Sequence, residues 1–437
     1  MNDQRVPSID ALRPILKRSR EVVLLAALTG VVTGYVVAVF DWLVVDQFFD
    51  RVLSMPLWAQ AIMPIIGLII AAFARFVIGS GASPATADEY LHAFHETGYR
   101  LTGRVAISRG IAALATLGTG GAMGLEGPSI YFGSASGSVL QRRLPRVFKG
   151  SDHRTLLVAG AAAGVAAIFK TPATGAVFAL EVPYRDDLAR RMLLPALVAS
   201  ASGYLAFASV HGVSPLIRVA GSPDFVFRDL AGAVLVGLVA GIGAKLFAWL
   251  ILKAKKWADR PITMRLAVAA PTIVAMFVLG RILTGESLML GSGYAVVQWS
   301  GEGGHAEWLL LAILVARSVT TASVLAGAGT GGLFIPLVVN GALLGRVIGD
   351  LVNTPDPGLF TVVGIAAFLG AGYRVPLASV MFVAEATGRP GFIVPGLLAA
   401  VAAELVVGNS SVTPYQRSTI RETLGHNERP AARNVQQ

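Results

Sequence analysis

Long uncharged stretches alternate with short charged segments along most of the chain. A helix needs about 20 apolar residues to cross a hydrocarbon core roughly 30 Å thick. The longest uncharged runs of this kind are residues 22–40, 57–74, 192–210, 230–244, 266–280 and 358–372. The first run follows a polar leader of 21 residues and lacks a small-residue cleavage site, so we expect a membrane helix there, not a signal peptide.

A second set of apolar stretches is shorter and interrupted by Gly and Pro. These stretches are residues 110–123, 156–169, 171–180, 331–344 and 391–403. The whole chain of 437 residues is 54% hydrophobic and 14% charged, against about 25% charged in soluble proteins. With 49 Gly and no Cys, it cannot be a disulfide scaffold, and its polar surface is too small for an ordinary soluble enzyme. The pattern predicts an all-α, polytopic membrane protein with broken helices.

The charges separate by side. Residues 1–20, 141–154 and 253–265 are rich in Lys and Arg, whereas residues 41–50 and 286–307 carry acids but no Lys or Arg. The positive-inside rule places the basic segments in the cytoplasm and the acidic ones outside. We therefore predict cytoplasmic termini and an integral protein of the cell inner membrane. The net charge of +10 reflects this topology, so no nucleic-acid partner is expected.

The chain contains an internal repeat. Residues 169–181 return as 373–385, offset by 204, with an aromatic residue, a cation, Pro, Phe and Glu in register. Upstream, one Pro and two Gly of residues 128–137 recur in 336–345, offset by 208. Two halves with matching broken segments indicate a transport site near the midplane of the membrane. The repeated cations, Lys170 and Arg374, are expected to pair with carboxylates or loop carbonyls.

Both copies of the upstream repeat have the pattern of a helix start inside the membrane. Residues 121–129 and 327–336 are Gly-rich and lead into a Pro, which needs no N–H donor in a first helical turn. The free N–H groups and the dipole of a helix start favour an anion. The conspicuous ionisable residue there is Glu126. It can cap its helix, or it can take the place of the anion and act as a gate, a proton carrier or both.

These motifs resemble the CLC family of chloride channels and proton–chloride exchangers, over residues 22 to 420. G-L-E-G-P at 124–128 resembles the family's G-R-E-G-P, with Leu125 in place of Arg, and G-L-F-I-P at 332–336 resembles G-x-F-x-P. The resemblance implies two halves of inverted topology built from broken, tilted helices, with Glu126 as the gate. The residues that it implies at the anion site are Ser80, Gly124, Leu125, Gly127, Leu333, Phe334 and Tyr415.

The resemblance also implies the organisation of the chain. We predict a cytoplasmic segment (1–21), a transmembrane domain (22–420) with halves at 22–210 and 229–420, and a short cytoplasmic tail (421–437). It implies a homodimer in the lipid bilayer with one anion path per subunit. Chloride is the expected transported ion, and no other cofactor or metal is expected.

Two departures from the family pattern matter. The family's first motif is G-S-G-I-P, and here G-S-G at 79–81 is favoured, which makes Ser80 the hydroxyl donor; an ungapped alignment instead selects Ala85 or Thr86. Exchangers usually carry a second acid after the motif that ends at Glu181, but Val182 stands there, as in channel members.

Because Val cannot carry a proton, the sequence favours uncoupled, channel-like conduction, with proton–chloride exchange as the alternative. Glu181, Asp186, Asp187 or a file of water are the candidates to replace the missing relay. An intramembrane enzyme would need a nucleophile with a base or a metal set, and all six His lie in loops, termini or polar stretches, so no enzyme is expected. A cation transporter would need core carboxylates, and the apolar segments offer too few. Asp88, His92 and His95 have metal-ligand spacing, but an amphipathic cytoplasmic stretch is favoured.

Overall fold

The structure is a computed structural model, and it describes residues 9–79, 86–96, 98–144, 147, 153–218, 226–352 and 357–419. The described residues form seventeen α-helices. They are α1 Ile9–Trp42, α2 Asp50–Leu53, α3 Leu57–Phe73, α4 Thr86–His95, α5 Gly103–Gly118, α6 Glu126–Arg143, α7 Thr155–Phe169, α8 Pro172–Glu181, α9 Leu193–His211, α10 Phe227–Lys256, α11 Ile262–Thr284, α12 Tyr294–Gly301, α13 Glu307–Ala326, α14 Phe334–Leu351, α15 Pro357–Tyr373, α16 Pro376–Thr387 and α17 Ile393–Val407.

Eight helical segments of the described chain are long and apolar enough to cross a membrane. They include Arg20–Leu53, where a π-helical stretch continues α1 into α2, and Phe334–Leu351, which is 89% buried inside the protein. α1 begins at Ile9, inside the segment predicted to precede the membrane domain. The prediction of an all-α, polytopic membrane protein is confirmed.

The packing of the helices repeats between the two halves. α6 packs on α7 as α14 packs on α15, α1 packs on α9 as α10 packs on α17, and α8 packs on α9 as α16 packs on α17. Repeated glycines allow two of these contacts: a Cβ on Gly133 would overlap the Gly160 carbonyl, and one on Gly341 would overlap the Gly364 carbonyl. The repeat seen in the sequence is therefore a repeat of structure.

The two repeated cations share an uncommon backbone conformation. Lys170 and Arg374 follow α7 and α15 with φ of 56° and 57°, the left-handed region in which few residues other than Gly lie. Lys170 Nζ donates to the His211 carbonyl at 3.0 Å. Arg374 pairs with Glu404 at 2.6 Å and donates to the Arg185 carbonyl at 3.2 Å. The expected pairing with carboxylates and carbonyls is confirmed.

The short broken helices of the two halves cap one another. Glu385, near the end of α16, accepts two N–H bonds of 2.7–2.8 Å from the first turn of α8 and one of 2.6 Å from the Thr174 hydroxyl. Glu181, the last residue of α8, accepts two N–H bonds of 2.9 and 3.1 Å from the first turn of α16. Because these glutamates occupy matching positions of the repeat, the contact is reciprocal and joins the halves.

Candidate anion site

Two helix starts, one from each half, meet inside the protein. The residues that lead into α6 and α14 form an antiparallel bridge, in which Gly124 N donates to Gly332 O at 2.9 Å and Gly332 N donates to Gly124 O at 2.7 Å. Gly127 lies in the first turn of α6 and is buried. Both helix dipoles therefore present their positive ends at one point, where an anion is stabilised.

Glu126 occupies this meeting point. It is the first residue of α6 and is 1% exposed, and its Oε1 accepts a hydrogen bond of 2.6 Å from the backbone N–H of Phe334. Oε2 is buried and has no hydrogen-bond partner among the described residues. The carboxylate thus reaches across to the helix start of the other half.

Aromatic rings surround Phe334. Its ring lies 4.4 Å from Phe169, 4.9 Å from Phe382 and 5.5 Å from Phe178, measured between centroids. Tyr373 packs edge-on against Phe178 at 5.6 Å. Phe169 and Tyr373 are repeat mates, as are Phe178 and Phe382, so each half contributes the same pair of rings. The cluster places buried aromatic side chains beside the helix starts.

Tyr373 is a candidate site residue that the sequence reasoning missed. Its side chain is buried, and its hydroxyl faces the backbone N–H of Leu333, one of the two amides implied for the anion. The sequence feature that could have identified Tyr373 is the repeat. Tyr373 occupies the position that matches Phe169 and differs from it by a hydroxyl group. A phenol at this position offers an uncharged O–H donor beside Glu126.

Tyr415 lies against α4. Its ring centroid is 3.9 Å from that of His92, and the residue is 38% exposed. Burial, followed by the charges of Asp88, Glu89 and Glu96, raises the pKa of the Tyr415 phenol, so it remains a neutral donor at physiological pH. Its implied role at the anion stays a prediction.

The first anion motif lies largely outside the described part of the chain. Ser80 and Ala85 are not among the described residues, and Thr86 is described only as the first residue of α4. The choice between them stays open.

The residues with metal-ligand spacing each have another partner. Asp88 forms an ion pair of 2.5 Å with Lys255, His95 Nε2 contacts the Pro183 carbonyl at 2.9 Å, and His92 stacks on aromatic rings. These contacts tie α4 to its surroundings, and the expectation of an amphipathic cytoplasmic stretch stays a prediction.

The candidates for an internal proton relay are also occupied. Val182 is buried. Glu181 accepts the two N–H bonds with which it caps α16. Asp186 accepts hydrogen bonds from Ser418 Oγ and Thr419 N, at 2.5 and 2.9 Å. Asp187 accepts one from its neighbouring amide and pairs with Arg190 at 3.2 Å. Each carboxylate therefore has a structural contact.

A cavity of about 460 Å³ opens beside the site, on the side predicted to be extracellular. Leu125, next to Glu126, lines it together with Asp41, Lys170, His211 and Tyr294. Leu125 is the residue that replaces the family's Arg, so this wall is apolar, and Lys170 supplies a positive charge to the cavity from α7.

The fold and site define a polytopic membrane protein of two inverted halves around paired helix starts. The sequence profile of the family described as voltage-gated chloride channels matches residues 62–408. The chain belongs to this family, the CLC family of anion-transport proteins.

Named relatives match almost the whole chain, and solved structures share its fold. The H(+)/Cl(-) exchange transporter ClcA of Klebsiella pneumoniae (strain 342) is 25% identical, covering 99% of this chain and 96% of that protein. The ClcA exchange transporter of Citrobacter koseri is 26% identical, covering 98% of this chain and 94% of that protein. A crystal structure of a CLC-type fluoride/proton antiporter matches 95% of this chain and 100% of its own, with a TM-score of 0.78 and 22% identity. A slow cyanobacterial Cl-/H+ antiporter matches 93% of this chain and 99% of its own, with a TM-score of 0.74 and 20% identity.

Proposed function

We propose that the protein exchanges chloride for protons across the membrane, with Glu126 as gate and proton carrier. The observation that carries this proposal is the position of Glu126: its Oε1 takes an N–H of the opposite helix start, while Oε2 is buried without a partner among the described residues. A buried carboxylate oxygen without a donor is costly, and protonation reduces that cost. Anion binding at the helix starts and proton binding at Glu126 then exclude one another.

The helix starts suit a transported anion better than a lysine would. The amides of Leu333 and Phe334 and the hydroxyl of Tyr373 supply partial charges only, so the anion is attracted but can leave again. When Glu126 is protonated, its side chain gives up the Phe334 amide to chloride. When it is deprotonated, it returns and closes the path. No cofactor besides the transported ion is needed.

Exchange is better supported than the uncoupled conduction that Val182 favours, because named relatives matched along almost the whole chain are exchangers. Glu181, Asp186 and Asp187 carry structural contacts, so in this proposal a file of water brings the cytoplasmic proton to Glu126. Uncoupled conduction is the second candidate, and the buried Val182 is the observation that favours it.

A flux assay separates the two candidates. In liposomes with a chloride gradient and no proton gradient, we expect chloride flux to drive protons uphill. A pH-sensitive dye and a chloride electrode in the same sample measure the ratio, and fluoride in place of chloride measures anion choice. Chloride efflux without proton movement would establish uncoupled conduction instead.

Replacement of Tyr373 by Phe tests its hydroxyl. We expect chloride to bind about fivefold more weakly, because one hydrogen bond is worth about 1 kcal/mol. Isothermal titration calorimetry in detergent measures the affinity, and Tyr415→Phe is measured beside it to compare the two hydroxyls. If Tyr415→Phe alone weakens binding, the hydroxyl at the anion is that of Tyr415.

We further propose a homodimer in the cell inner membrane with both termini in the cytoplasm. The basic segments support this orientation. Exposed apolar residues on α9 and α17, such as Leu205 (65% exposed) and Leu405 (80% exposed), support an apolar subunit interface. Cross-linking in native membranes tests the subunit number.

A further inference from the structure

A second cavity, of about 810 Å³, lies between α10 and the segment that follows α17. Its lining includes Arg185 and Lys245, together with Trp249, Asn409 and Ser410. Two cations and several amide or hydroxyl groups thus converge there. Among the lining residues that the structure describes there is no carboxylate. The cavity therefore has the charge of a site for an anionic group.

The cavity opens towards the bilayer. Its neighbours on α10, Ile242, Leu246 and Trp249, are 54%, 63% and 56% exposed, and these apolar side chains lie on a membrane-spanning helix. Their exposed surface is therefore in contact with lipid.

Lys245 is exposed on the surface of the protein, and its position along α10 places it well inside the membrane. It precedes Lys253, in the basic end of α10, by eight residues, which is about 12 Å along a helix. The basic end marks the predicted cytoplasmic surface, so Lys245 lies within the inner hydrocarbon half. No carboxylate of the described chain lies within salt-bridge distance of its ammonium group.

A cation at that depth is costly unless an anion accompanies it. Arg185 adds to this requirement, because its Nε is buried without a hydrogen-bond partner among the described residues. The segment after α17 that lines one side of the cavity is held at Val412, whose N–H donates to the Gly372 carbonyl at 2.9 Å and whose carbonyl accepts from Lys255 Nζ at 2.9 Å.

We propose that this cavity binds the headgroup of an anionic phospholipid from the cytoplasmic leaflet, with its phosphate between Lys245 and Arg185. The acyl chains lie along Ile242 and Leu246, and Asn409 and Ser410 donate to the headgroup. Basic pockets between helices on the cytoplasmic side have the chemistry to hold such lipids. A lipid fits better than a soluble phosphate because the cavity joins a cationic end to an apolar, bilayer-facing wall.

Native mass spectrometry tests the proposal with phosphatidylglycerol and phosphatidylcholine of identical chains, added in equal amounts. We expect one phosphatidylglycerol per protomer to be retained in preference to phosphatidylcholine. Each cation contributes about 1 kcal/mol, or about fivefold, so Lys245→Gln should lower the preference about fivefold and the double variant with Arg185→Gln about 25-fold. Arg228→Gln, at the opposite end of α10, is the matched control and should keep the preference.

Other results would overturn the proposal. Equal retention of phosphatidylglycerol by wild type and by Lys245→Gln would overturn it. Lys245 lies on the surface, so this single variant gives a result even if the double variant fails to fold. Displacement of the lipid by millimolar inorganic phosphate would make the cavity a site for soluble phosphate. A change in the mass of the protein assembly in Lys245→Gln would mean that a second copy covers the cavity.

Discussion

Replacing Glu126 with Gln is expected to abolish proton movement, while anion flux continues and loses its dependence on pH. Gln has the shape of a protonated Glu but cannot take up or release a proton. Loss of a positioned proton-transfer group typically costs a factor of about 100 or more. The Phe334 N–H, which donates a hydrogen bond of 2.6 Å to Glu126 Oε1 in the wild type, then stays available to chloride at every pH.

The measurement uses parallel chloride and proton readouts in liposomes from pH 4.5 to pH 7.5. Glu307→Gln is the matched control, because Glu307 begins α13 on the predicted outer side and is exposed. We expect the control to keep both coupling and pH dependence. If Glu126→Gln retained them as well, Glu126 would be neither gate nor proton carrier.

The structure separates this role from that of an ordinary helix cap. A capping carboxylate normally accepts amides of its own first turn. Glu126 begins α6 but accepts the N–H of Phe334, which begins α14. Its other oxygen has no partner among the described residues, whereas both oxygens of Glu385 accept hydrogen bonds. A side chain with one carboxylate oxygen left without a hydrogen bond is less firmly held and can be displaced by an anion.

The repeat made the architecture predictable. Matching residues at fixed offsets located both helix starts. The bridge between Gly124 and Gly332 joins the two segments that the upstream repeat identified. Five membrane spans followed from the long uncharged runs, because a helix satisfies its own backbone groups in hydrocarbon. The span Glu307–Ala326 was missed because Arg317 interrupts its apolar run.

The side chains around the anion were harder to predict. The family pattern selected Tyr415, whose role at the anion stays a prediction, and it did not indicate that the Tyr373 hydroxyl faces the Leu333 amide. Such proximity depends on how the halves pack, and no local pattern encodes it. The prediction of uncoupled conduction rested on a single residue, Val182. Such an argument is weaker than similarity to named exchangers along the whole chain.

The residues that form the reciprocal caps were visible in the sequence, but their pairing was not. Glu181 and Glu385 stand in register, and a Pro begins each of α8 and α16. These are the signs of two capped helix starts. The sequence did not show that each Glu caps the helix of the other half, since helices 200 residues apart have no local relation.

Replacing Glu385 with Ala is expected to destabilise the protein by about 3 kcal/mol, because two amides and a hydroxyl lose a charged acceptor. Glu181→Ala removes two such bonds and should cost about 2 kcal/mol. Scanning fluorimetry in detergent measures the midpoint of thermal unfolding. Glu302→Ala, an exposed acid outside the caps, should leave the midpoint unchanged.

Glu181→Gln then separates a structural role from a relay of protons. An amide oxygen still accepts one N–H of α16, so we expect a smaller loss of stability than in Glu181→Ala and an unchanged proton-to-chloride ratio. A lower ratio with an unchanged unfolding midpoint would contradict the cap and make Glu181 the internal acid. The two outcomes differ because a cap acts on the folded state, whereas a relay acts only while protons move.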